Sequence, residues 1–174
     1  MEEIQPKTGK VGLTFGLVLG AISIIFGLML YSMDLHYTRG WEVNLVNFLI
    51  MAGVIIWAIS HFKKTNGGFI SLGEAMKVGL ATAVVAGIVA IIWQMIFTNV
   101  IEPEFMEKVF EMSKAEMIEQ NPKMTDEQIE QGEGMIKMFT SPGVMVVMTL
   151  VIALFFGSLI SLFTGLVMKK QKPA

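Results

Sequence analysis

The stretch VGLTFGLVLGAISIIFGLMLYSM, residues 11–33, runs for 23 residues without a charge. At 1.5 Å per helical residue it reaches about 35 Å, enough to cross a hydrocarbon layer of about 30 Å with some tilt. Three further apolar runs follow, at 43–62, 75–101 and 144–168, and only Lys77 interrupts them, early in the third. Lipid offers no partners to free amide and carbonyl groups, so each run is expected to be a helix. A cleaved signal peptide competes for the first run, because Lys7 and Lys10 precede it. Its length and the lack of a small-x-small site before Asp34 favour an uncleaved span. The expected fold class is therefore all-α and polytopic. Four transmembrane helices are placed at about 11–33, 43–62, 73–101 and 143–168, in one membrane domain covering 1–174. A short extracytoplasmic helical hairpin is expected between the third and fourth.

Composition points the same way. The chain is 53% hydrophobic and 16% charged, with mean hydropathy +0.63, where a soluble domain carries about a quarter charged residues. There is no cysteine, which excludes disulfides, thiolate metal sites and cysteine nucleophiles.

The breaks between runs carry their own signals. After Lys63 and Lys64, Asn66-Gly67-Gly68 supplies residues that tolerate positive φ in a tight reversal. Ser71 and Glu74 have the spacing of a capping box for the third helix. Ser141-Pro142-Gly143 marks the start of the fourth, with serine at the cap and proline at the first helical position. If both termini share a side with the 63–77 turn, that side holds eight lysines against Glu2, Glu3 and Glu74, a net +5. The opposite side holds five cations and twelve carboxylates, a net −7. Lysines near helix ends favour the cytoplasm, so both termini are expected there.

Residues 10–25 (KVGLTFGLVLGAISII) and 77–92 (KVGLATAVVAGIVAII) align without a gap, with eight identities in sixteen positions. A duplicated helical hairpin with the polar segment inserted into its second copy would explain the match. Chance similarity between apolar helices would also explain it. Small residues recur every fourth position: Gly12, Gly16 and Gly20; Gly79, Ala83 and Gly87; Gly157, Ser161 and Gly165. Such stripes let helix backbones approach closely, either within one bundle or between copies.

The polar segment 102–142 is expected to hold two helices, one opening near Pro103 and ending before Asn121-Pro122, the other starting at a Thr125/Gln128 capping box. Gly132 and Gly134 should weaken the second. Its six methionines could bind copper(I) as soft ligands, but flexible apolar filling accounts for them more simply. Its ten carboxylates lack a calcium-loop spacing, so a solvated acidic face is the better reading. No metal and no cofactor is expected.

Polar residues gather near the outer helix ends: Asp34, His36, Arg39, Glu42, Asn44, Asn47, Gln94 and Asn99. Asp34 and His36 could form a proton-sensitive pair, and Gln94 could bond across helices. Each also reads as an interfacial residue beside Tyr31, Tyr37, Trp41 and Trp93. Phosphate loops, serine triads, HExxH and GxSxG are absent from the sequence.

GGFISLGEAMKVGL, EPEFMEKV and the closing MKKQK resemble the bacterial membrane family catalogued as domain of unknown function 4199. The resemblance covers nearly the whole chain and is most specific over 67–80. It implies a small four-helix inner-membrane protein with no assigned reaction, so no catalytic residue is carried over. It makes Gly68, Ser71, Gly73 and Gly79 turn and packing positions. The expected role is non-enzymatic, a structural or accessory membrane component. The alternative is a small transporter or channel-like subunit built from a duplicated hairpin. Expected partners are the lipid bilayer and another membrane protein or a second copy, not nucleic acid.

Overall fold

A computed structural model describes residues 7–37 and 40–171. Arg39, Glu2, Glu3 and Lys172, which entered the charge reading, lie outside the described residues. Among the described residues the fold is six α-helices: α1 Thr8–Ser32, α2 Trp41–Thr65, α3 Leu72–Ile96, α4 Phe105–Gln120, α5 Asp126–Phe139 and α6 Pro142–Met168. A π-helical turn, Phe97–Ile101, prolongs α3. α1, α2, α3 with its prolongation, and α6 are long and apolar enough to cross a membrane.

The chain divides into two compact units, one of residues up to Ala90 and from Leu150 on, the other Ile91–Thr149. α3 and α6 each contribute to both. On the helices of the first unit the buried side chains are Val11, Phe15 and Leu19 of α1, Val54, Ile55, Ala58, Ile59 and Phe62 of α2, Ala75, Val78, Thr82, Ala83 and Ala86 of α3, and Ile160 with Ser161 of α6. All lie in the helix halves nearest the 63–77 turn. No residue of 21–32 or 41–53 is buried.

The small residues explain that packing. A side chain at Gly12 would collide with Ala81, one at Gly16 with Val85 and one at Gly20 with Val89. Both numbers rise together, so α1 and α3 run parallel in close contact. Gly79 lies against Ser161, Gly157 against Ala83, and Gly165 against Leu72 and Ala75. There one number falls as the other rises, so α3 and α6 are antiparallel. A methyl at Gly87 would meet Ala153 and Leu150 at an ordinary 3.5 Å. Glycines aligned by the match of 10–25 with 77–92 thus meet different neighbours: Gly12 and Gly20 face α3, while Gly79 and Gly87 face α6. α2 completes the bundle through Trp57 and His61 against Phe15 (ring centroids 5.0 and 5.3 Å apart) and Phe48 against Phe156 (5.6 Å).

The turn between α2 and α3 is built as its residues dictate. Gly67 and Gly68 take φ of 68° and 84°, where a Cβ would be strained. Ser71 and Glu74 cap α3 reciprocally: Ser71 N donates to Glu74 Oε2 at 2.7 Å, and Glu74 N to Ser71 Oγ at 3.2 Å. Two features here had no sequence signal. Ile70 and Lys170 exchange a pair of backbone hydrogen bonds, both 2.9 Å. Lys63 Nζ donates to Met168 O at 2.8 Å, satisfying a carbonyl at the end of α6.

In the second unit α4 and α5 pack on each other. Lys114 and Glu133 form an ion pair at 2.7 Å, Met117 sits over Gly132, and Lys137 lies 5.3 Å from the Phe110 ring centre. Thr125 and Gln128 make the complete capping box of α5. Gly132 therefore does more than weaken its helix, because its missing side chain is the seat for Met117. Ser141 directly precedes Pro142, the first residue of α6, and its carbonyl accepts from Met145 N at 3.0 Å, while its hydroxyl donates back to Met138 O at 2.7 Å.

Candidate functional site

Asp34, His36 and Gln94 are each placed by a different local cause. Asp34 has φ of 55°, the left-handed conformation that asparagine and aspartate tolerate best among side-chain-bearing residues. With it, Asp34 N reaches Tyr31 O (3.1 Å) and Leu35 N reaches Leu30 O (2.8 Å), which ends α1. His36 follows in the turn, its ring centre 5.0 Å from that of Tyr31 and 4.1 Å from that of Tyr37. An aromatic clasp thus surrounds the imidazole. Gln94 belongs to the second unit, where its Nε2 donates to Met145 Sδ at 3.8 Å.

A cavity of about 280 Å³ opens beside Gln94, with Thr98, Asn99 and Thr140 on its wall. The π-helical turn forms part of that wall. Its wider turn is closed by Glu102 N donating to Phe97 O five residues back, at 2.8 Å. Sequence reasoning singled out Gln94 and Asn99 but missed Thr98, Met106 and Met145. Nothing in the apolar run announces an inserted residue, so the rotation it gives Thr98 and Asn99 could not be foreseen.

Elsewhere the buried polar groups are structural. Thr82 and Ser161 are fully buried, and each hydroxyl donates to the carbonyl four residues back, Val78 O and Gly157 O. Among the described residues no three histidine, aspartate or glutamate side chains gather closely enough to hold a metal ion. The perturbed titrations lie in the α4–α5 pair. Their mutual hydrogen bond holds the Glu133 carboxyl below its ordinary range and lifts the Lys114 ammonium above its own. Chemically, then, the cavity offers neutral hydrogen-bonding groups and thioethers, and no charged side chain lines it.

No curated protein and no solved structure matches this chain. Residues 14–170 match the family model described as protein of unknown function (DUF4199), and the chain belongs to that family.

Proposed function

We infer that the protein is a non-enzymatic, accessory component of a bacterial inner membrane, with both termini cytoplasmic and the acidic α4–α5 pair presented outside. Its partners are the lipid bilayer and another membrane protein or second copy that meets that pair. The observation that carries this reading is the partition of charge, with lysines at the 63–77 turn and after α6 and ten carboxylates in the segment joining α3 to α6. Glycine-close packing fills the first unit with apolar groups, and its two fully buried hydroxyls are satisfied by their own helices. That leaves little polar chemistry to work with at depth.

The absence of cysteine makes the test direct. Single cysteines at Glu130 and Lys64, both exposed, are treated with an impermeant maleimide on intact spheroplasts. Glu130→Cys is expected to react at once and Lys64→Cys only after lysis. The reverse pattern overturns the orientation. Co-purification of the full chain, with and without Glu127→Lys and Glu130→Lys, then tests the acidic face, since an unchanged set of partners would remove it as the contact surface.

The runner-up, a small transporter or channel-like subunit, draws on the 10–25 and 77–92 match. It requires flux across liposomes that responds to substitution of Asp34 or Gln94.

A further inference from the structure

The cavity in the second unit lies between the end of α3, the start of α4 and the start of α6. Its lining includes no charged side chain. An ion entering it would lose hydration without gaining a countercharge, so a neutral occupant fits. Thr98 Oγ1 and Asn99 Nδ2 donate to their own helix, at Gln94 O (2.9 Å) and Met95 O (2.7 Å). Gln94 is different. Its amide nitrogen has a thioether as acceptor, a weak partner, and among the described residues its Oε1 accepts no hydrogen bond. The carboxamide thus keeps both a donor and an acceptor for a guest. Met95, Met106 and Met145 supply walls that can adapt to an apolar body. The π-helical turn that shapes one side is a feature that recurs at functional sites.

We propose that this cavity binds a neutral amphiphile, a hydroxyl- or amide-headed molecule whose head hydrogen-bonds the Gln94 carboxamide and whose apolar body lies against the three methionines. Such a head is shared by neutral membrane lipids and free alcohols, and the experiment separates the two sources. It goes beyond the accessory role inferred above and does not depend on it.

The full chain in zwitterionic nanodiscs is photolabelled with a long-chain alcohol carrying a diazirine, and adducts are mapped by mass spectrometry. Adducts are expected within 91–106 and 140–149. The matching carboxylate, kept ionised at alkaline pH, should give about tenfold fewer. Gln94→Leu should weaken labelling about 5- to 10-fold, the loss of one hydrogen bond, and Val146→Phe should abolish it by filling the space. Should either variant fail a thermal-unfolding check, competition on the unaltered protein decides: excess unlabelled hexadecanol must remove the adducts. Competition by hexadecanol alone marks a lipid source, and equal competition by hexanol marks a free alcohol. Adducts spread evenly along the spans, labelling that ignores the competitor or both folded variants, or a carboxylate that labels as strongly as the alcohol would overturn the proposal.

Discussion

The first unit and the second are held together by opposite means. In the first, glycine, alanine and serine let helix backbones approach until Ile55, Ala58, Ile59, Val78 and Thr82 are wholly enclosed. In the second, Gly132 is the one buried residue among those described, and order comes from an ion pair, a capping box and methionine contacts. Lipid removes most of the hydrophobic drive for helix association, so close packing must supply it where the bundle is tight. A looser unit gives up that packing and gains room for side chains to move. The cavity beside Gln94 and the ten carboxylates of the segment joining α3 to α6 both lie there.

The contrast can be broken most severely at Gly79. Gly79→Leu would drive a side chain into Ser161 and toward Ile55, and should destabilise the folded protein by about 2–3 kcal/mol in detergent unfolding titrations. Gly53, with no heavy atom near enough to meet an added methyl, provides the control. Gly53→Ala should be neutral or stabilising by up to about 1 kcal/mol, through helix propensity alone. Equal losses at both positions would mean that close approach is not what holds the first unit.

Next in size is Lys63→Met, which leaves the Met168 carbonyl without its ammonium donor. A loss of about 1–2 kcal/mol is expected in the same titration. In the second unit, Thr125→Ala removes the Oγ1 acceptor for Gln128 N–H and leaves the reciprocal bond from the residue-125 backbone N–H to Gln128 Oε1. It should cost about 1 kcal/mol, read as roughly fivefold faster amide exchange at 126–129, with exchange in α2 unchanged.

The smallest effect is the pH response of the Lys114–Glu133 pair. Glu133 is lowered, so its contribution is complete above the ordinary carboxylate range and fades as pH falls through its folded value. Lys114 is raised, so its contribution is complete below the ordinary lysine range and is lost as pH rises past its folded value. Protection of α4 and α5 in hydrogen exchange should therefore be flat near neutrality, decline at both extremes, and weaken with salt because the pair is solvated. A response in the first unit instead would reverse the contrast.

What the sequence makes legible is whatever a short stretch decides alone. The four spans, the reciprocal cap of Ser71 and Glu74, the Thr125/Gln128 box and the positive φ of Gly67 and Gly68 are all local chemistry. Helix ends moved outward, to Thr8 and Trp41 rather than 11 and 43, because lipid thickness limits an apolar run but not the helix that carries it. Partner choice was not legible. The stripe Gly12, Gly16, Gly20 announces a close approach without saying that α3, and not α2, is the neighbour. The cavity was hidden for the same reason. Gln94 and Asn99 stand out as polar, but their register depends on the extra residue in the π-helical turn, and Met106 and Met145 come from elements distant in sequence.

The equal spacing of the α1 glycines has a mechanical corollary. A ladder with identical rungs fits its rail at several heights: shifted by one helical turn, Gly16 would come over Ala81 and Gly20 over Val85, with contacts much like those observed. Glycine alone therefore cannot choose where α1 stops along α3. Phe15, wedged against Trp57 and His61 of α2, is the peg that selects one height.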